Sequence, residues 1–449
     1  MNIARAVGNF LKQLKGMYAG RLDASFVRLL SNSGWNLLGQ GTGLVVAIIA
    51  IPILLKQLGS DSFGLFTVFL ALIGYSGLLD LGIGRAVTAV VAKHSQRDDL
   101  AAVKSCVSTA LALLAFIGLL IAGLLLIFAD SIAGMLVGEQ GVLRSEGGNA
   151  LQVLAFAVPI VLLASGVRGA LEGLQEFKAI SKIMMPTGAL MFALPAVLSF
   201  ATPVVTYLVA ALLLVRLLVL GLLYTACSKR IGETRAQRPS WPQARELLGA
   251  GGWMTVSNVV SPIMTNLDRL FISAQISPAA AALHVTPYEL GTKTLLLAGS
   301  IANATFPEFA THEGLDTRSG ERKRYFWRAM LLTSAAALLP ALILFAFAKE
   351  ILSLWISHEF ADGVSTDILR VLAIGIFANG VAYIPFAFVQ GIGRSDVAAK
   401  FHLFELAVFV PALLWALGTF GVIGAAIVWV GRVVVDAVLL LAYSLIKLV

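Results

Sequence analysis

Three basic side chains stand where a helix in hydrocarbon tolerates them least. Arg216 and Arg432 lie near the middles of long apolar runs, and Lys293 lies well inside another. A charge at such depth costs about 3 kcal/mol unless it is paired or faces a polar cavity. Glu289 precedes Lys293 by four residues and Asp436 follows Arg432 by four, the ion-pair spacing of one helix face; Arg216 has no such neighbour. The planar, always-charged guanidinium fork matches phosphate oxygens, so this group of cations reads as a site for an anionic headgroup, a pyrophosphate above all. Asp268-Arg269 and the pair Asp80 and Arg85 lie closer to the ends of their runs. Arg216, Lys293, Arg432, Arg269 and Arg85 are therefore the candidate binding cations. Glu289, Asp268, Asp436 and Glu308 could carry a coupling proton or sodium ion, or simply neutralise these neighbours. Arg168, Glu172, Arg370 and Glu405 fall near run boundaries, where a long side chain can snorkel to the headgroups, and read as structural.

What must hold these residues is set by composition. Of 449 residues, 58% are hydrophobic and only 13% charged, with a mean hydropathy of +0.88. A soluble domain carries roughly 25% charged residues, so a soluble enzyme, a disordered chain and a disulfide scaffold are all excluded. A bilayer-spanning helix needs about 20 apolar residues. Twelve such runs are present: 33–57, 62–92, 105–129, 148–171, 183–201 and 204–227, then 247–276, 285–311, 325–348, 366–390, 401–418 and 422–446. The expected fold is an all-α integral membrane protein of twelve helices in two six-helix lobes.

The distribution of Lys and Arg tests this topology, because basic residues collect in cytoplasmic loops. With twelve spans, 23 of the 33 fall on one side, concentrated in 5–28, 229–245 and 318–328, whereas the other side has only Lys56, Arg144 and Lys349. Both termini are expected in the cytoplasm. The net charge of +8 thus reports orientation rather than nucleic-acid binding. Residues 1–32, with Ile3, Val7, Phe10, Leu11, Leu14 and Tyr18 on one face, are expected as a cytoplasmic amphipathic segment.

Residues 228–246, with Arg-Pro-Ser-Trp-Pro and no apolar run, read as a cytoplasmic linker between a lobe over 33–227 and a lobe over 247–449. Across it the sequence echoes itself. Gly34-Trp35 recurs as Gly252-Trp253, and Gly173 and Lys182 recur as Gly391 and Lys400, all 218 residues apart. Six spans per half make these parallel repeats about an axis along the membrane normal, with a path between two bundles. Ten prolines in or beside spans can kink the helices.

Enzyme signatures are missing: no phosphate-binding Gly-rich loop, no paired His at ligand spacing, no Asp-x-Asp in a loop. Gly82-Ile83-Gly84 and Gly391-Ile392-Gly393 are better explained by close helix packing. Cys106 and Cys227 lie apart in apolar stretches and read as buried small side chains. No cofactor and no metal are expected. Transport is favoured over catalysis.

The stretch from Asn32 to Asp80, with Gly34-Trp35-Asn36, Leu58-Gly59, Phe63-Gly64-Leu65 and Leu78-Leu79-Asp80-Leu81-Gly82-Ile83-Gly84, resembles the opening helices of bacterial Wzx-type polysaccharide flippases. These belong to the multidrug/oligosaccharidyl-lipid/polysaccharide (MOP) exporter superfamily. Asn266-Leu267-Asp268-Arg269-Leu270-Phe271-Ile272, Thr286-Pro287-Tyr288-Glu289-Leu290 and Phe306-Pro307 follow in the order usual there. The resemblance spans the whole chain. It implies a V of two lobes that opens alternately to each side and moves an undecaprenyl-pyrophosphate-linked oligosaccharide, such as an O-antigen unit, from the inner to the outer leaflet of the inner membrane. On that reading the protein acts as a monomer, with a polysaccharide polymerase and chain-length machinery as possible partners. Trp253, Tyr288 and Trp429 could stack on sugar rings, although interface anchoring is the plainer role. A cation-coupled multidrug exporter of the same superfamily would need an acidic cavity instead. A membrane glycan polymerase or ligase would need a large external loop.

Overall fold

The computed structural model describes residues 24–75, 80–137, 141–232, 238–311 and 319–448, and among these the regular elements are all helices. Of the amphipathic segment expected over residues 1–32, residues 1–23 lie outside the described residues and residues 24–32 form the start of the first helix. In hydrocarbon every backbone N–H must find a carbonyl within its own segment, which leaves the helix as the form open to runs this apolar.

The first half contains α1 (Ala24–Tyr75), α2 (Ile83–Ser95), α3 (Leu100–Val137), α4 (Gly141–Gly173), α5 (Phe177–Leu198) and α6 (Val205–Ile231). The second contains α7 (Trp241–Gln275), α8 (Pro278–Lys293), α9 (Leu295–Thr311), α10 (Ser319–Ala346), the short α11 (Ala348–Trp355) and α12 (His358–Ala361), then α13 (Val364–Gly391), α14 (Ser395–Phe420) and α15 (Val422–Leu448). The halves follow one plan. The end of α4 and the start of α5 recur 218 residues later in α13 and α14, and both ends of α6 recur 217 residues later in α15. Packing repeats too: α4 lies against α2, α3 and α6, as α13 lies against α9, α10 and α15.

Nine helices among the described residues are long and apolar enough to cross a membrane. The three expected spans outside that number fail for visible reasons. The second is not one described helix, since α1 kinks at Gly59 (φ 73°), and α2, of 13 residues, begins only at Ile83. The seventh lies in α7, which is long but carries Asn266, Asp268 and Arg269. The eighth breaks at Thr294 into α8 and α9, of 16 and 17 residues. Residues 241–246, read from the sequence as the end of a linker, are the first turns of α7; Pro242 sits where a helix needs no N–H donor.

The chain forms two compact units. One is Trp35–Gly252; the other is Trp253–Val449 together with the chain up to Gly34. Their boundaries fall at Gly34-Trp35 and Gly252-Trp253, the dipeptide that carries the sequence echo.

Within the first unit, Ile83, Val87, Val103, Val107, Leu162 and Leu171 form one buried cluster, and Phe66, Phe69, Leu151 and Leu208 belong to another. In the second unit Leu369, Leu372, Ile376 and Trp429 form the cluster beside the candidate site. Phe116, Ile127 and Leu331 face outward and are exposed, as lipid-facing side chains must be. Gly84 and Gly169 let α2 and α4 meet backbone to backbone, since a Cβ on Gly169 would run into the Gly84 carbonyl oxygen.

Candidate functional site

The second unit gathers most of the charged residues singled out in its sequence. Ser277 adopts extended backbone, and its Oγ accepts the Ala280 N–H at 3.0 Å, which caps α8 after a short turn from α7. The turn sets Asp268 and Arg269 of α7 against His284, Tyr288 and Glu289 of α8. Nε2 of His284 lies 2.8 Å from Oδ2 of Asp268, with both side chains sealed from solvent. One helical turn on, the Tyr288 ring stacks on that of His284, and the Arg269 guanidinium lies 5.7 Å from the Tyr288 ring centre. Arg269 also donates to Glu289, whose other oxygen takes Lys293 at 2.9 Å. The expected Glu289–Lys293 pair is therefore present, and one carboxylate serves two cations. Lys293 ends α8, where an ammonium also complements the partial negative charge of the helix C-terminus.

Tyr288 leads from this group to α15. Its ring meets Trp429 edge-on at 5.4 Å, and Trp429 fits there because Gly375 on α13 has no Cβ to obstruct it. Tyr288 and Trp429 are 7% and 1% exposed, so neither offers a face for a sugar; they hold α8 against α15. Trp253, in contrast, is exposed, with the Lys400 ammonium 5.6 Å above its ring.

Arg432 lies just beyond Trp429. Its Nη1 donates to Sδ of Met264 on α7 at 3.8 Å, and its Nε is buried without a partner. Its charge acts on Tyr288, His402, Glu405 and Asp436. The i,i+4 spacing of Arg432 and Asp436 does not close into an ion pair. Asp436 turns instead to α14, where its Oδ1 lies 3.7 Å from Nε2 of His402. Glu405, one turn along α14 from His402, completes a cluster in which one ligand-type atom from each residue lies within 4.8 Å of the others. Glu405 was read from the sequence as an interfacial residue. It is only 3% exposed, and neither carboxylate oxygen has a hydrogen-bond partner.

Arg216, in the middle of α6 in the first unit, is half-buried, with its Nε sealed and unpartnered. Asp80 accepts the backbone N–H groups of Gly82 at 2.9 Å and Gly84 at 3.3 Å, so it caps α2, with the Arg85 charge acting on it. Asp80 thus has a structural role at the head of that helix. Glu308, on α9, acts with Arg28 on the buried Tyr325 of α10. Arg168 pairs with Glu172 at 2.8 Å along α4, as their spacing allows. The missed residues, His284, His402 and Glu405, share one signal: ionisable side chains in or beside apolar runs, with the partner on another helix.

The fold is that of MOP-superfamily transporters. An outward-facing multidrug-resistance MATE-family transporter superposes with a TM-score of 0.83 at 18% identity, covering 94% of this chain and 96% of that one. A mutant of the Vibrio cholerae MATE transporter VcmN gives 0.80 at 16% identity, covering 93% and 96%. A Pyrococcus furiosus MOP-superfamily transporter described by the reversed polarity of its binding pocket gives 0.80 at 18%, covering 94% and 96%. Sequence takes the identification further. Residues 29–313 match the family of polysaccharide biosynthesis proteins, and the chain is 31% identical over 413 residues to a Shigella flexneri protein provisionally named an O-antigen transporter, covering 92% of this chain and 96% of that one. The protein belongs to the polysaccharide biosynthesis protein family and is a multi-pass membrane protein.

Proposed function

We propose that the protein is a flippase, not an enzyme, that carries an undecaprenyl-pyrophosphate-linked oligosaccharide from the inner to the outer leaflet of the bacterial inner membrane by alternating access. The observation that carries this reading is the 31% identity, over nearly the whole of both chains, to the Shigella flexneri protein. A glycan cannot cross hydrocarbon unaided. The protein must shelter the headgroup while the polyprenyl tail stays in lipid. Arg216 is the residue best suited to the pyrophosphate: a cation at mid-span with no ion-pair partner among the described residues. Arg432 lies at nearly the same depth in α15, one residue before the position that corresponds to Arg216. Both termini lie in the cytoplasm on this reading, and the protein works as a monomer that hands its cargo to a polysaccharide polymerase.

A second reading has one observation in its favour. In the second unit Arg269, Lys293 and Arg432 stand against Asp268, Glu289, Glu405 and Asp436, so three cations face four carboxylates. That balance is acidic, as a cation-coupled drug exporter requires.

Sealed proteoliposomes decide between them. Labelled undecaprenyl-pyrophosphate oligosaccharide on the inner leaflet becomes accessible to an impermeant glycosidase outside only if the protein flips it. Protein-dependent access that falls on Arg216→Ala supports the flippase. No access, alongside efflux of a cationic dye from the same vesicles, establishes the exporter.

A further inference from the structure

Between α14 and α15 lies a group of ionisable side chains that the binding of an anionic headgroup does not use. His402 and Glu405 project from α14 one turn apart, and Asp436 meets them from α15. The His402 ring is held flat against Phe386 of α13 at 5.7 Å. The facing groups can be enumerated. Arg432 of α15 acts on all three, the Met264 thioether of α7 takes an Arg432 N–H, and Tyr288 of α8 feels Arg432 from the far side.

Charge counting shows what is missing. With both carboxylates ionised and His402 neutral, Arg432 leaves the cluster one negative charge in excess, in a place nearly closed to solvent. Such an excess is costly in a low-dielectric interior. Hydrogen bonding points to the same gap. Both oxygens of Glu405 and Oδ1 of Asp436 are buried with no donor, and the nearest His402 nitrogen, Nε2, stands 3.7 Å from Asp436, beyond hydrogen-bond reach, so carboxylate acceptors converge unsatisfied. One added positive charge that is also a donor would satisfy both deficits.

We propose that Glu405, Asp436 and His402 form a proton-binding site in the second unit. It holds one exchangeable proton between the two carboxyl groups, with the His402 imidazole as the group through which that proton is exchanged. A metal ion fits less well. Calcium takes six to eight oxygens and magnesium an octahedral set of ligands, whereas this cluster offers two carboxylates and a nitrogen. A divalent ion would turn that excess of one negative charge, counted with Arg432, into an excess of one positive charge. Chains of Asp, Glu and His within membrane spans form proton relays. As the coupling ion of the proposed flippase this proton rests on that reading, but its binding can be measured without it.

The experiment is infrared difference spectroscopy of the full-length protein in nanodiscs, titrated with pH in sodium-free buffer and repeated in heavy water. The expected result is a protonated-carboxyl band that shifts with deuterium, bleaches as pH rises, and vanishes in Glu405→Gln. Asp436→Asn should change its midpoint, and His402→Asn should slow its exchange. Retained thermal unfolding confirms that each variant folds. A band that neither carboxyl variant alters, or no titrating band at all, overturns the site. Loss of the band on adding sodium but not potassium at fixed pH overturns the proton in favour of a metal cation. In proteoliposomes the wild-type flipping rate should rise several-fold under an imposed pH gradient, and that response should be lost in Glu405→Gln. If the wild type flips nothing while its band titrates, the flippase reading fails and the proton site stands.

Discussion

His284 and Asp268 touch at 2.8 Å with their side chains 0% and 1% exposed, although they are 16 residues apart on two helices. An ionised carboxylate can only accept, so Nε2–H of the imidazole donates to Asp268, while Nδ1 has no partner. Removing the histidine leaves a buried carboxylate uncompensated, which costs about 3 kcal/mol or more. Asp268→Asn keeps an acceptor for the same N–H and removes the charge. We expect His284→Ala to lower the unfolding temperature in detergent clearly more than Asp268→Asn does. Equal losses from the two variants would mean that charge is not what makes the pair costly to break.

Glu289 serves two cations that differ in burial: Arg269 is 31% exposed and Lys293 is 66% exposed. An exposed pair contributes about 0.2–1 kcal/mol because solvent screens it and side-chain entropy opposes it. Arg269 is further tied to the Tyr288 ring. Double-mutant cycles should therefore give a coupling for Arg269 with Glu289 at least twice that for Lys293 with Glu289. Lys293→Ala should cost less than about 1 kcal/mol in unfolding measurements. A larger loss would assign Lys293 a fixed role in the network.

Much of this was legible in the sequence, and the gaps have causes. Apolar runs give spans directly, and the Glu289–Lys293 pair follows from spacing along one helix. Arg432 and Asp436 have the same spacing yet do not pair, because α14 offers Asp436 another neighbour, and a helix wheel knows nothing of the next helix. His284 with Asp268, and His402 with Glu405 and Asp436, depend on which helices pack, so residue types alone could not join them. Three expected spans fall short of an uninterrupted apolar helix, and two of these, α7 and α8–α9, carry Asp268, Arg269, His284, Glu289 and Lys293. Polar residues that serve a site weaken the signal by which a span is read. The expectation of a predominantly cationic interior also changes once Glu405 is counted, since the second unit's network then has more acids than bases.

The contact of α2 with α4 is as close as backbone permits. A Cβ on Gly169 would strike the Gly84 carbonyl oxygen, a group that cannot rotate away. Gly221 on α6 has nothing within 4 Å of the same position. Gly169→Ala should destabilise by about 1–3 kcal/mol, as overpacking does. Gly221→Ala should be neutral or stabilising by up to about 1 kcal/mol, the helix-propensity gain. Thermal unfolding of the two variants side by side checks this, and an unaffected Gly169→Ala would show that the helices can part without loss.

Arg216 should be the most informative single position. It sits at mid-helix with no acidic neighbour in ion-pair range among the described residues, so a free guanidinium is held at that depth without internal compensation. If it grips a pyrophosphate with two parallel N–H groups, charge alone does not replace it, because an ammonium is a point donor. Arg216→Lys should then lower the flipping rate by about tenfold, equivalent to about 1.4 kcal/mol, and Arg216→Ala by about a hundredfold. Membrane insertion and unfolding temperature should hold in both. Full recovery by lysine would reduce the role of Arg216 to a non-directional positive charge. Normal flipping by the alanine variant would remove it from the site and leave Arg432 as the cation to test.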